Sequence, residues 1–268
     1  MIDRRLVAAA ALALPALGFA RKASAQIAAK SRLKSIQDSG QLRIGTTGDF
    51  SPMSFRATGG GGYEGHQIDA GNMLAKDMGV QAAFVATDWK TLISGLTADQ
   101  YDIVMTGTSM SAARAMAATF VDPWGRNAFV PLVLKENAAK YPDWEALNQT
   151  SVTIGTNLGT TMEQFVQQSI PKATLRRVES PARDWQELIG GRVDATMSSL
   201  IEAASLTKEY PQLATLFADH PRNPIPMAFL IPQGDPIWLA FLNNWTVLRL
   251  ARGSFDELNK KWGVVGNG

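Results

Sequence analysis

Cysteine is absent from this chain, which removes disulfides and any thiolate site from consideration. Histidine is nearly absent: with only His66 and His220, the sequence does not point to a histidine-based zinc site. There is no internal repeat, low-complexity tract or proline-rich linker. One apolar run near the N-terminus has no successor, so no later segment is expected to insert in a bilayer, and the chain beyond it reads as soluble.

The flanks of that run say what it is. Residues 1–25 begin with Asp3, Arg4 and Arg5, stay apolar over 6–20, and close on Ala23, Ser24 and Ala25 before Gln26. This is the order of a secretory signal peptide, so export to the periplasm is expected. The arginine pair, with Arg21 and Lys22 downstream, leaves both the Sec and the twin-arginine routes open. The signal holds Arg4, Arg5, Arg21 and Lys22 against Asp3, a net of +3, whereas the whole chain is +2, so the part after it is near −1. The basic character belongs to the signal, and no nucleic-acid surface is expected. Roughly 240 residues remain, enough for two medium lobes.

Strand and helix signals alternate, which argues for an α/β fold with parallel sheets. Strands are predicted over 41–47, 82–86, 101–107, 152–156 and 193–197, with extended apolar segments over 129–134 and 226–231. Helices are predicted over 69–78, around 91–96, after Thr161, around 185–189, from 200 to about 210 and from 238 to about 250. The extended segments fall where the chain would cross between lobes. They divide it into a first lobe over 26–130 plus 226–268 and an inserted second lobe over 131–225. A cleft between α/β lobes, at the C-terminal ends of strands, is a common ligand site.

Four loops at such strand ends offer polar groups. In the first, over 46–52, Gly48-Asp49 and Ser51-Pro52 are turn formers, while Phe50 could wall a ligand and Asp49 or Thr47 hydrogen-bond to it. In the second, Asp88 suits a helix N-cap, and Trp89 suits either the core or the cleft. The third holds Thr106, Ser109 and Arg114; the arginine follows a buried strand and a run of hydroxyl residues in an Ala/Met-rich stretch, and its planar fork can grip a carboxylate in two bonds. The fourth, Asn157-Leu158-Gly159-Thr160-Thr161, opens a helix whose free N–H groups favour an anion, although Thr160 and Glu163 also match a capping box.

These loops together resemble the family-3 solute-binding proteins, the polar amino-acid receptors of ABC transporters. LRIGTTGDFSPMSF (42–55), GYEGHQIDAG (62–71), YDIVMTGTSMSAAR (101–114), FVDPW (120–124) and IGTNLGTTMEQF (154–165) carry the likeness, which covers nearly all of the chain after the signal. It implies the two-lobed, type II periplasmic-binding-protein fold with a central cleft. It also implies that Ser109, Arg114, Thr160 and Thr161 hold a ligand carboxylate, that Phe50 packs on its body, and that an ABC transporter permease is the partner, with no metal or cofactor. Two positions depart from the pattern. Receptors for α-amino acids usually carry an aspartate where Ser199 stands, to pair with the ligand ammonium, and an aromatic and an acid are common where His66 and Gln67 stand. A desolvated ammonium needs a charged or multiply accepting partner, so a carboxylate without one is the expected ligand.

TTGDF (46–50), TDW (87–89) and IEA (201–203) resemble, more narrowly, the periplasmic cyclohexadienyl dehydratases, which convert prephenate or arogenate on this same fold. That likeness implies Glu202 as general acid, delivering a proton to the leaving oxygen, with its pKa raised by burial near Trp89 and Phe50. Ser199 and Glu202 also match a capping box, and the aspartate and lysine that those enzymes carry at Ser199 and near Pro226 and Met227 are missing. The expectation is a receptor for a small carboxylate, with the dehydratase as the rival reading.

Overall fold

Burial of Leu42 and Ile44, both fully inside, makes QLRIGT an interior strand, β1 (Gln41–Thr46), of a first sheet. The structure, a computed structural model, describes residues 31–57 and 61–264, so the signal expected over 1–25 lies outside the described residues. Before β1 comes α1 (Arg32–Ser39), and after it a small antiparallel sheet of β2 (Asp49–Phe50), β3 (Ser54–Arg56) and β4 (Tyr63–Glu64). The chain continues through α2 (His66–Met78), β5 (Gln81–Ala86), α3 (Leu92–Thr97), β6 (Ile103–Val104), α4 (Ala112–Ala115) and β7 (Thr119–Phe120). Then follow β8 (Gly125–Leu134), α5 (Trp144–Leu147), β9 (Thr153–Asn157), α6 (Thr161–Ser169), β10 (Thr174–Val178), α7 (Asp184–Ile189), β11 (Ala195–Ser199), α8 (Leu200–Glu209), β12 (Leu213–Thr215) and β13 (Arg222–Met227). The described chain closes with β14 (Leu230–Ile231), α9 (Pro236–Ala251) and α10 (Ser254–Trp262).

The first large sheet has the order β5-β1-β6-β14-β7, and the second β10-β9-β11-β8-β12 with β13 also on β8. β1 is parallel to β5 and β6, and β9 is parallel to β10 and β11, so the loops leaving β1, β6, β9 and β11 open at C-terminal strand ends. The whole of β8 from Gly125 belongs to the second sheet, including the residues up to 130 that the sequence reading grouped with the first lobe. The chain crosses between sheets twice, side by side. Gly125 pairs with Met227, Trp124 N–H donates to the Met227 carbonyl at 3.1 Å, and Val121 N–H donates to that of Phe229 at 3.0 Å.

Three differences from the sequence reading have local causes. The strand predicted over 101–107 is confined to Ile103–Val104, with Asp102 N–H and Met105 N–H bonding Arg43 O and Gly45 O on either side, and the chain turns away at Gly107, whose φ is 83°. β10 escaped notice because TLRRV buries only Val178. The sequence reading also stopped one helix short of α10.

Behind the first sheet, Trp124, Phe229, Trp245 and Phe255 pack on one another, and the His66 ring stacks on Trp124 with centroids 5.0 Å apart. Burial drives the His66 imidazole down to about 4, against a hydrogen bond to Asn259 that pulls it up, so the ring is neutral. His66 and Gln67 are core residues bonded to each other at 3.0 Å, which explains why no aromatic–acid pair stands there. No helix among the described residues is long and apolar enough to cross a membrane.

Candidate functional site

The loops after β1, β6, β9 and β11 meet between the two large sheets. Phe50, Trp89, Ser109 and Arg114 come from the first side; Asn157, Thr160, Thr161, Met162, Arg183 and Glu202 come from the second, with Asn127 on β8. The space they enclose is only about 20 Å³ for a water-sized sphere, room for about one water. The cleft is therefore nearly shut. A second cavity of about 200 Å³ adjoins it at Trp89 and Asn157 and is lined by Asp49, Leu158 and Ala182.

Trp89 meets Phe50 edge-on at 6.1 Å and lies 5.8 Å beneath the Arg114 guanidinium. Arg114 is fixed by carbonyls from both sides, donating to Ser109 O at 2.9 Å and to Gly159 O at 3.1 Å. It is 7 % exposed and has no carboxylate partner among the described residues, and desolvation lowers its pKa to about 10. A buried cation held only by carbonyls lacks its counter-charge, which an anionic ligand would supply.

Opposite Arg114, Thr160 caps α6: its Oγ1 accepts from Glu163 N–H at 3.3 Å. Glu163 reaches back to Gly159 N–H at 2.9 Å rather than to Thr160. Thr161 is buried at the helix start, where unbonded backbone N–H groups and the helix dipole suit a carboxylate. Gly159 lets this turn approach the other side. Its φ is 82°, and a Cβ there would lie 2.7 Å from Trp89 O and 2.8 Å from Lys90 N. Gly159→Val is expected to wedge the cleft open, with a larger radius of gyration by small-angle scattering and ligand affinity at least tenfold weaker; an unchanged radius and affinity would refute this packing.

Glu202 shows how far its capping pattern reaches. Its backbone N–H donates to Ser199 Oγ at 3.0 Å, so Ser199 is the cap of α8, fully buried and outside the cavity lining. The Glu202 side chain turns into the cleft instead of closing the box: Oε1 accepts from Arg183 Nη2 at 2.8 Å and Oε2 from Ser198 Oγ at 3.0 Å. Burial pushes this carboxyl up to about 7, with Asp184 and Asp49 adding to the rise and Arg183 pulling against it. Neighbouring Asp184 is raised to about 6, again chiefly by burial, with Arg183, Trp185 N–H and Asn157 pulling it down.

Arg183 is the residue that sequence reasoning missed. It is 8 % exposed, precedes α7, and bonds Glu202 from its own side and Asp49 Oδ2 from the other. Asp49 also accepts from Trp89 Nε1 at 3.1 Å, so it fastens two cleft walls. Arg183 follows β10, and with that strand unrecognised its loop was not counted among those at strand ends. Asn127, Met162 and Ser198 were missed as well. Thr106 does not line the cleft; its Oγ1 bonds Thr47 Oγ1 at 2.8 Å and Ser54 Oγ at 2.6 Å beneath it. Among the described residues no group of three or more histidine, aspartate or glutamate side chains is arranged to hold a metal.

Two α/β sheets joined by paired crossovers, with an uncompensated arginine facing a helix start across a closing cleft, define a solute-binding protein. The model of the bacterial extracellular solute-binding proteins, family 3, matches residues 42–265, and the chain belongs to that family. Cyclohexadienyl dehydratase of Pseudomonas aeruginosa is 31% identical over 250 residues, 93% of this chain and 92% of that protein. The L-cystine-binding protein of Escherichia coli is 26% identical, over 86% of this chain and 85% of its own. The crystal structure of an ancestral amino acid-binding protein, described as a precursor of cyclohexadienyl dehydratase, superposes with a TM-score of 0.81 at 36% identity, covering 87% of this chain and 99% of that one. The fold is that of the type II periplasmic binding proteins, as the sequence motifs implied.

Proposed function

We propose that this protein is a periplasmic receptor that closes over a small carboxylate and delivers it to an ABC transporter permease. The observation that carries this reading is Arg114, a buried guanidinium without a carboxylate partner among the described residues, set opposite the Thr160–Thr161 helix start. The moving parts would be a first lobe over 26–130 plus 226–268 and a second over 131–225, with the Gly125–Met227 pair supporting a hinge beside those bounds. Export follows from the signal-like 1–25 segment and the extracellular family. The binding proteins among the relatives support an amino-acid-like carboxylate.

A second reading, a cofactor-free dehydratase with Glu202 as general acid, is favoured by one observation: the Glu202 carboxyl is buried in the cleft with its pKa raised to about 7. Arg183, 2.8 Å away, pulls the carboxyl towards its ionised form but burial outweighs that pull; what weighs against this reading is the lack of the aspartate and lysine that such enzymes carry at Ser199 and near Pro226 and Met227. The discriminating experiment incubates purified protein with prephenate and follows phenylpyruvate, alongside thermal-shift titrations with small carboxylates. A saturable thermal shift without phenylpyruvate above the uncatalysed rate is expected. Turnover that disappears in Glu202→Gln would move the assignment to the lyase.

A further inference from the structure

The cleft already contains a cation that is not a ligand. Arg183 places one guanidinium nitrogen on Glu202 from its own side and another on Asp49 from the opposite side. Glu202 lines the pocket at Arg114 and Asp49 the adjoining cavity, whose other acids are Asp88, which accepts from Thr91 N–H at 2.7 Å, and Glu179, which pairs with Lys90; Asp184 stands next to Arg183. A ligand bound by its carboxylate at Arg114 and carrying a positive group at its other end would need such acids as partners. Asp49 and Glu202 are both occupied. The Nε of Arg183 has no acceptor among the described residues, so the guanidinium retains a donor for a neutral or anionic oxygen.

We infer that Arg183 is the specificity-determining residue of this cleft: its guanidinium takes the place of a ligand's cationic group on Asp49 and Glu202, so the protein refuses basic amino acids and accepts carboxylates whose far end is neutral or anionic and rich in acceptor oxygens. This rests on the reading of the cleft as the ligand site. The like charge of Arg183 repels an incoming ammonium or guanidinium in a dry pocket, and the space is filled as well. Removing Arg183 leaves two facing carboxylates and a vacated channel, which is a site for a basic side chain.

The test uses the purified protein with L-arginine and its neutral isostere L-citrulline as probes, read by calorimetric titration. Position 183 is the N-cap of α7, where serine is a preferred residue, so Arg183→Ser keeps the helix start intact. Arg183→Ser is expected to bind L-arginine at least about 100-fold more tightly than the unmutated protein does. Arg183→Lys, which keeps the charge, is expected to refuse it still. Asp49→Asn provides an arm that does not depend on removing Arg183: it loosens Arg183 but leaves the cation in place, so L-arginine is expected to stay excluded. The inference is overturned if the unmutated protein binds L-arginine as tightly as L-citrulline, if folded Arg183→Ser gains nothing for L-arginine, or if Asp49→Asn gains it. If no small carboxylate binds to the unmutated protein or to any of these variants, the reading of the cleft as a ligand site fails, and the inference with it.

Discussion

Arg114→Met is expected to melt at a higher temperature than the unmutated protein when no ligand is present, and to lose the ligand response altogether. Both halves follow from one feature. Arg114 is buried against the carbonyls of Ser109 and Gly159, and no acid offsets the cost of taking its charge out of water. Methionine is similarly long and apolar, so replacing an uncompensated buried cation with it is expected to gain about 1 kcal/mol. The same substitution removes the counter-charge for a ligand carboxylate, which costs about 2–5 kcal/mol of binding when a buried charge pair is broken. The measurement is differential scanning calorimetry with and without a carboxylate that shifts the unmutated protein. A variant that melts lower yet keeps its ligand shift would show Arg114 to be a structural residue.

The second large effect concerns pH. Between the ordinary carboxyl value of 4.5 and about 7, folded protein holds a proton on Glu202 that the unfolded chain has released. Stability from this group is thus complete below about 4.5 and is lost as pH rises through about 7. Asp184, raised to about 6, acts in the same direction, and the groups facing the pair are Arg183, Asp49 and the Ser198 hydroxyl. His66 works the other way. Its value lies down at about 4, so its contribution is lost as pH falls from 6.5 towards 4. Glu202→Gln keeps the amide oxygen for Arg183 and the histidine unchanged, so the difference between the two proteins reports the Glu202 carboxyl together with its effect on Asp184. At pH 8 the glutamine variant is expected to be more stable than the unmutated protein by about 1–3 kcal/mol, and at pH 4 the two are expected to converge. Chemical denaturation at both pH values checks this; a constant gap would mean that Glu202 stays ionised throughout.

Much of the site could be read before any coordinates, for a physical reason. Phe50, Ser109, Arg114, Asn157, Thr160 and Thr161 follow strands that bury enough residues to be recognised, and Trp89 follows the edge strand β5, whose uninterrupted apolar run AAFVA marks it although none of it is fully buried. Arg183 could not, because in β10 the pair Arg176-Arg177 interrupts TLRRV and leaves no apolar pattern. A charged residue at an N-cap position, with Gln186 Oε1 receiving its backbone N–H at 3.2 Å, was the remaining hint. Glu202 and Ser199 show the limit of a motif. The S-x-x-E pattern identified the helix start correctly, but sequence alone could not say that the glutamate would abandon the cap for an arginine nineteen residues away. Thr106 failed for a different reason: it lies one layer below the cleft, bonded to Thr47 and Ser54, and depth does not show in a linear pattern.

The pairing of Gly125 with Met227 also bears on how such a protein can change over generations. Everything that builds the second sheet leaves and returns at one spot, since directly opposed residues of an antiparallel ladder lie about 5 Å apart. The stretch between them can therefore be exchanged as a cassette with two adjacent splice points. An exchange there would carry Thr160, Arg183 and Glu202 together and leave Arg114 and Phe50 behind, so the incoming half of the cleft would meet the arginine of its new host.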